Sequence, residues 1–204
     1  HAVHDGSEYF YVTFDDEVRI VRPVSSDLSG IDFAIDETPL GRGTSLFDAV
    51  IQGIDLSRKT TRYRQVLIVI SDGADTHSKE KLATLMKAAH ESEVQIYAIG
   101  YFNPEEDQLF RTNGAEIKMT SRMVHNPRVV LTELSEQSGG KAFFPRTDAA
   151  MTAAVQAIVN DLRSQYTIEF YRQPTDNDTY QELRVLIPGH RGPIRTRSGF
   201  GGRQ

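Results

Sequence analysis

The chain has no cysteine. Disulfides, thiolate metal ligands and thiol nucleophiles are therefore excluded, and the compartment is left open. It has no apolar run of the roughly 18 residues that a membrane-crossing helix needs, so direct membrane insertion is not expected. It has no basic excess: 23 Lys and Arg stand against 28 Asp and Glu, a formal net charge of −5, which argues against general nucleic-acid binding. It has no full G-x-G-x-x-G pattern and no Gly-Lys-Ser/Thr ending. Gly41-Arg42-Gly43-Thr44-Ser45 follows Pro39 rather than a strand, so nucleotide binding is not expected there. It has no recognisable signal peptide. The chain opens at His1 rather than Met, which reads as a mature or trimmed product.

What is present is ordinary in composition: 204 residues, 25 % charged and 39 % hydrophobic, enough for one α/β domain or a domain with an appendage. The most informative stretch is 66–77. Five apolar residues, Val66 to Ile70, mostly β-branched, read as a strand buried on both faces. Ser71, Asp72 and Gly73 then stop the run. A polar group at that place faces the crevice where open α/β sheets bind ligands.

Around this strand the pattern repeats. Tyr9 to Phe14 and Glu17 to Val21, joined by Asp15-Asp16, read as a hairpin ended by Pro23. Leu28, Ile31 and Ile35 have helical spacing. A helix follows Thr44-Ser45, with Leu46, Phe47, Val50 and Ile54 as its inner stripe, and Ser45 with Asp48 fits a capping box. Ser78 reads as the N-cap of a further helix bearing Leu82, Leu85, Met86 and Ala89. Val94 to Ile99 is the next strand. Residues 101–128, with Pro104 and Pro127, read as a polar, irregular insertion beside the crevice with few apolar anchors. Then come a helix at Val130, Leu131 and Leu134, a strand at Lys141 to Phe144, and a helix from Asp148 with Met151, Val155, Ile158 and Leu162 inward. At Gln165 the rhythm changes: Tyr166 to Tyr171 and Leu183, Val185 and Ile187 alternate as an antiparallel hairpin. The last 22 residues carry five arginines (Arg184, Arg191, Arg195, Arg197, Arg203) and no acid, which suits a solvated edge strand.

The expected fold is therefore α/β, a Rossmann-like three-layer α/β/α arrangement with a mostly parallel central sheet, plus a C-terminal antiparallel hairpin. The expected division is 1–164 for the core and 165–204 for the β extension. Asp72 and Asp75, with Thr44 if the two loops meet, are the oxygen types a magnesium ion takes. His77 reads as a loop histidine, because no second histidine sits at zinc-ligand spacing. Ser71 and His77 lack the settings of a nucleophile or a general base.

Three stretches, Gly-Arg-Gly-Thr-Ser-Leu-Phe-Asp-Ala at 41–49, Val-Leu-Ile-Val-Ile-Ser-Asp-Gly-Ala-Asp-Thr at 66–76 and Val-Gln-Ile-Tyr-Ala-Ile-Gly at 94–100, resemble the von Willebrand factor type A domain, also called the integrin I-like domain. Leu-Ser-Glu-Gln-Ser-Gly-Gly-Lys-Ala-Phe-Phe at 134–144 is similar to the family's bacterial branch. The resemblance implies a metal-ion-dependent adhesion site, to which Thr44 and Asp72 correspond as metal-site residues. Asp75 corresponds to no usual direct ligand and falls to a loop or supporting role. The family's first site loop, Asp-x-Ser-x-Ser, is absent, and Asp5 and Ser7 do not replace it. The central strand that carries it is absent too, so its neighbours would lack a partner.

The resemblance implies a non-enzymatic, adhesion-type protein-binding module with Mg²⁺ or Mn²⁺ as cofactor. A protein partner would complete the coordination with an acidic side chain. An extracytoplasmic location, periplasmic or secreted, goes with it. The alternatives are a structural domain with a decayed metal site and, from another class, a magnesium-dependent phosphotransfer enzyme.

Overall fold

A computed structural model describes residues 6–39, 41–119, 122–166, 168, 181–189, 191–192 and 194–200. Strands β1 (Tyr9–Phe14) and β2 (Val18–Ser25) form an antiparallel hairpin, followed by the short helix α1 (Ile31–Asp36). Helix α2 (Leu46–Ser57) leads to β3 (Val66–Ser71), α3 (Leu82–Glu91) and β4 (Gln95–Gly100). Next come α4 (Pro104–Thr112), the hairpin β5 (Glu116–Met119) and β6 (Arg122–His125), α5 (Pro127–Gln137), β7 (Ala142–Phe143) and α6 (Asp148–Arg163). Strands β3, β4 and β7 make a parallel sheet in that order. The α/β class and its parallel core are as the sequence implies.

Strand β4 is the centre of the core, and its period of two sorts the layers. Ile96 and Ala98 face one side, where α2, α3 and α5 contribute Leu46, Val50, Leu85 and Leu131. Tyr97 and Ile99 face the other, where α6 contributes Ile158, Met151 and Leu162. Helix α2 comes close to the sheet through Gly53, where a Cβ would lie 2.9 Å from a Leu67 methyl.

Three sequence expectations are corrected. Val66–Ile70 is not buried on both faces: β3 is the edge of the described sheet, and Ile68 and Ile70 are 50 % and 56 % exposed. The cause is positional. Helix α6 lies over β4 and β7 and leaves its own Val155, expected inward, 47 % exposed. The free edge of β3 also lacks a partner. Gln65 and Ser71 turn their carbonyls to Gln95 N–H and Tyr101 N–H, so the alternate groups of Val66, Ile68 and Ile70 point away from β4.

Among the described residues no strand pairs with that edge, and β1 has no second neighbour. Helix α2 packs on β1, β2 and β3 and so bridges the two sheets. Between them lies a cleft of about 430 Å³ lined by Phe10, Ser57, Val66, Val159 and Leu162, among others.

The second correction concerns the 101–128 stretch, whose described residues form helix α4 and the β5–β6 hairpin: Phe110 and Ile117 are 1 % and 2 % exposed within the main core. The third concerns the tail. The expected first tail strand, Tyr166–Tyr171, lies largely outside the described residues. Its expected return at 183–187 is not a strand; instead β8 (Gln181–Glu182) pairs antiparallel with β9 (Gly199–Phe200).

Candidate functional site

Thr44 and Asp72 lie on loops at one end of the sheet, and the loops are laced together. The Thr44 carbonyl accepts from Thr76 N–H at 2.9 Å and His77 N–H at 3.1 Å. Thr44 N–H donates to Thr76 Oγ1 at 3.2 Å. Gly43, at φ +84°, makes this possible: a Cβ there would sit 2.4 Å from the His77 ring. The Thr44 hydroxyl stands 3.8 Å from where a side chain on Gly73 would begin. Asp72 follows directly on β3, exposed, with no hydrogen bond or ion pair of its carboxylate among the described residues.

Asp75 has a supporting role. Its carboxylate accepts from Phe47 N–H at 3.2 Å and from Ser78 Oγ at 2.5 Å, so it caps the N-terminus of α2 from another loop. Burial raises its pKa, and these hydrogen bonds oppose that rise. Ser78 Oγ in turn accepts from Asp48 N–H at 3.1 Å, and the Asp48 carboxylate accepts from Lys79 and Glu80 N–H, each at 2.9 Å. The Ser45–Asp48 capping box and the Ser78 N-cap are thereby corrected. Ser45 makes no side-chain cap bond, Asp48 turns to the 79–80 backbone, and α3 begins at Leu82 behind Lys81. Ser45 Oγ is buried without a hydrogen-bond partner.

The donor set was tested for a divalent ion. Thr44 and Asp72 carry hard oxygens on two loops that are hydrogen-bonded to each other. They fit a hydrated magnesium-type ion in kind, supplying two of its oxygens. Among the described residues no three His, Asp or Glu side chains form a metal-holding group.

Asp72 also lines a crevice of about 1050 Å³ with Tyr101, Asn103, Glu106, Arg111 and Arg146. The sequence places residues 101–128 beside this crevice but singles out none of these side chains. Asn103 caps α4 by accepting from Glu106 N–H at 2.9 Å, with Pro104 in the first turn. Burial, then the neighbouring Asp72 charge, raises the pKa of Glu106. Below it Asp107, 3 % exposed, accepts from Arg128 Nη1 at 3.0 Å and Arg146 Nε at 2.6 Å. Arg128 stacks 4.0 Å over the Phe144 ring. The legible signal was Asn103-Pro104 followed by Glu106 at capping-box spacing.

A parallel sheet with helices on both faces and a polar crevice at its strand ends defines a layered α/β protein. A profile of the von Willebrand factor type A domain matches residues 4–137, and the chain belongs to that family. It is 23 % identical over 181 residues to an uncharacterized protein of Borreliella burgdorferi, covering 86 % of this chain and 52 % of the relative. The chain thus spans about half the length of the curated relative it matches. In fold it is similar to the conserved hypothetical protein BatB of Bacteroides thetaiotaomicron, with TM-score 0.56, 14 % identity, and 79 % and 82 % of the two chains covered. It is also similar to an aerotolerance-related membrane protein of Bacteroides fragilis, with TM-score 0.52, 16 % identity, and 78 % and 81 % covered. A von Willebrand factor type A structure from Catenulispora acidiphila gives TM-score 0.56 at 13 % identity, over 78 % and 34 %.

Proposed function

We propose that this chain is a non-enzymatic protein-binding module whose crevice at Thr44 and Asp72 takes an acidic side chain of a partner in the presence of Mg²⁺ or Mn²⁺. The observation that supports this reading is the lacing of the Thr44 loop to the 73–77 loop, which follows Asp72 at the end of β3. A bound hard cation supplies a Lewis-acidic position that attracts a carboxylate. The chain's own residues do the rest. Thr44 and Asp72 hold oxygens toward it, Asp75 and Ser78 fix the Thr44 loop on α2, and Gly43 lets the loop turn.

In this reading a strand seated in the cleft between β1 and β3 would supply the remaining oxygens. Its carboxyl end would emerge near the Asp72 end of β3. The short donor set among the described residues favours a second reading, a structural domain with a decayed site.

Calorimetry and thermal melts of the protein, with magnesium and with chelator, separate the two. Magnesium at 100 times its dissociation constant stabilises the folded state by about 2.7 kcal/mol. Asp72→Ala removes that gain and Asp75→Ala leaves most of it. Equal responses of wild type and Asp72→Ala would establish the structural reading.

A further inference from the structure

The cleft between β1 and β3 is positively charged. Its lining carries Arg62, Arg64 and Arg163 against one acid, Glu8, a formal excess of two positive charges. The three arginines gather at the amino end of β3. Arg62 and Arg64 stand in the loop that leads into Val66, and Arg163 is the last residue of α6. Arg64 is held in place: its Nη2 donates to the Leu162 carbonyl at 2.5 Å and to Gln165 Oε1 at 2.6 Å. Both acceptors are neutral, so the charge is positioned without being cancelled. Glu8 is engaged elsewhere, accepting from Thr61 N–H at 2.9 Å and from its hydroxyl at 3.3 Å. The other end of β3 has the opposite sign, with Asp72 and Glu106 on the crevice there.

Between these ends the walls are apolar. Phe10, Val66, Val159 and Leu162 line the cleft, and Ile68 and Ile70 on β3 are half exposed. The backbone groups of Val66, Ile68 and Ile70 point away from β4, and one extended segment would pair with them and cover these side chains together. The cleft has a wall on either side, so it admits a single strand and not the edge of a second sheet.

We propose that the cleft docks one extended segment of a protein partner, apolar at alternate positions, parallel to β3 and acidic at its amino-terminal flank. This is the strand of the reading above, now with its chemistry and direction named, and its docking needs no cation. In this direction the acidic flank meets Arg62, Arg64 and Arg163, while the carboxyl end, without acid, meets Asp72. The reverse direction sets the same flank against Asp72 and Glu106, where like charges repel it.

The test is fluorescence anisotropy of the 204-residue protein with three acetylated, amidated peptides, each a Thr-Val repeat with a dye on a carboxyl-terminal Gly spacer. The first carries Asp-Asp before the repeat, the second Lys-Lys there, and the third Asp-Asp after it. The first binds at least about fivefold more tightly than either other, the size of an exposed ion pair, and the preference narrows as salt is raised. Its binding slows hydrogen exchange at the Ile68 and Ile70 amides. Arg64→Gln and Arg62→Gln each reduce the preference. Arg62 makes no hydrogen bond or ion pair among the described residues, so its variant reads charge without disturbing a contact of the fold.

Equal binding of the three peptides, a preference kept in both arginine variants, or binding without protection of Ile68 and Ile70 overturns the proposal. So does concentration-dependent protection of those amides before any peptide is added, which would give the edge to a second copy. Docking that is the same in magnesium and in chelator, with no magnesium-induced thermal shift, would uphold the cleft and sink the cation reading. A magnesium shift lost in Asp72→Ala, with no peptide bound, would do the reverse.

Discussion

Asp107 shows most sharply how a single side chain can fix a rim. Its carboxylate is 3 % exposed, and two guanidiniums from different elements converge on it. Such a charge is tolerated only when paired. Asp107→Asn keeps the volume and removes the charge, and Arg146, more than half exposed, turns to water while Arg128 loses its counter-charge. The change is expected to cost about 1–3 kcal/mol, read from urea unfolding. A loss under about 1 kcal/mol would mean that the arginines find water instead.

Glu106, one residue earlier, supplies a titration test. Burial first and Asp72 second raise its pKa. The folded state therefore holds this proton at pH values where the unfolded chain has released it. Its contribution to stability is present below the unfolded pKa and declines as pH rises through the folded one. Asp72→Asn removes the like charge, so the Glu106 carboxyl is expected to titrate lower by ¹³C NMR, still above an exposed glutamate. An unchanged titration would show that burial alone sets it.

At the scale of elements, the excursion from Asn103 to His125 departs furthest from the sequence reading. Its prolines look like breaks in the chain, yet Pro104 and Pro127 each sit in the first turn of a helix behind a capping asparagine. Asn126, fully buried, also donates to the carbonyls of Phe110 and Gly114 at 2.8 and 2.9 Å, tying α4 to α5. Phe110 and Ile117 carry the excursion into the core. Phe110→Ala is expected to cost about 3–5 kcal/mol in chemical unfolding, as for a buried aromatic. Replacing 103–125 with a Gly/Ser linker is expected to unfold the domain; a linker variant with wild-type stability would restore the surface-loop view.

Elsewhere the sequence was a better guide. The stripes of α2 and α5 and the alternation of β4 were legible because each buried face has one period. The excursion was not, because its few apolar residues are spaced across a helix and a hairpin and no window holds a period. The cap on α2 was illegible for a related reason: Asp75 reaches it across 28 residues of sequence, while Ser45 satisfies the local rule and makes no cap bond. Asp75→Ala is expected to cost about 1 kcal/mol of stability, the usual size of a lost N-cap, by thermal melt. An unchanged melt would return the capping role to Ser45.

Over the whole molecule the open question is the cleft between the two sheets. The most apolar strand of the chain lies at an edge, and an unpaired apolar edge is a template for another strand. Helix α2 already holds both walls, so the cleft is a shaped receptor rather than a loose end. A strand entering it would pair with backbone groups of Val66, Ile68 and Ile70 and cover side chains now half exposed. Hydrogen exchange reads this residue by residue. In the 204-residue chain the amides of Leu67 and Val69, turned toward β4, should exchange slowly, and those of Ile68 and Ile70 fast. With a strand seated in the cleft, all four should be slow. Ile70→Lys should reduce self-association of the 204-residue chain, since a charge on an edge strand opposes pairing between copies. If Ile68 and Ile70 amides are already as protected as Val69 in the 204-residue chain, the edge is covered from within. The oxygens missing from the Thr44–Asp72 site would then have to be sought elsewhere.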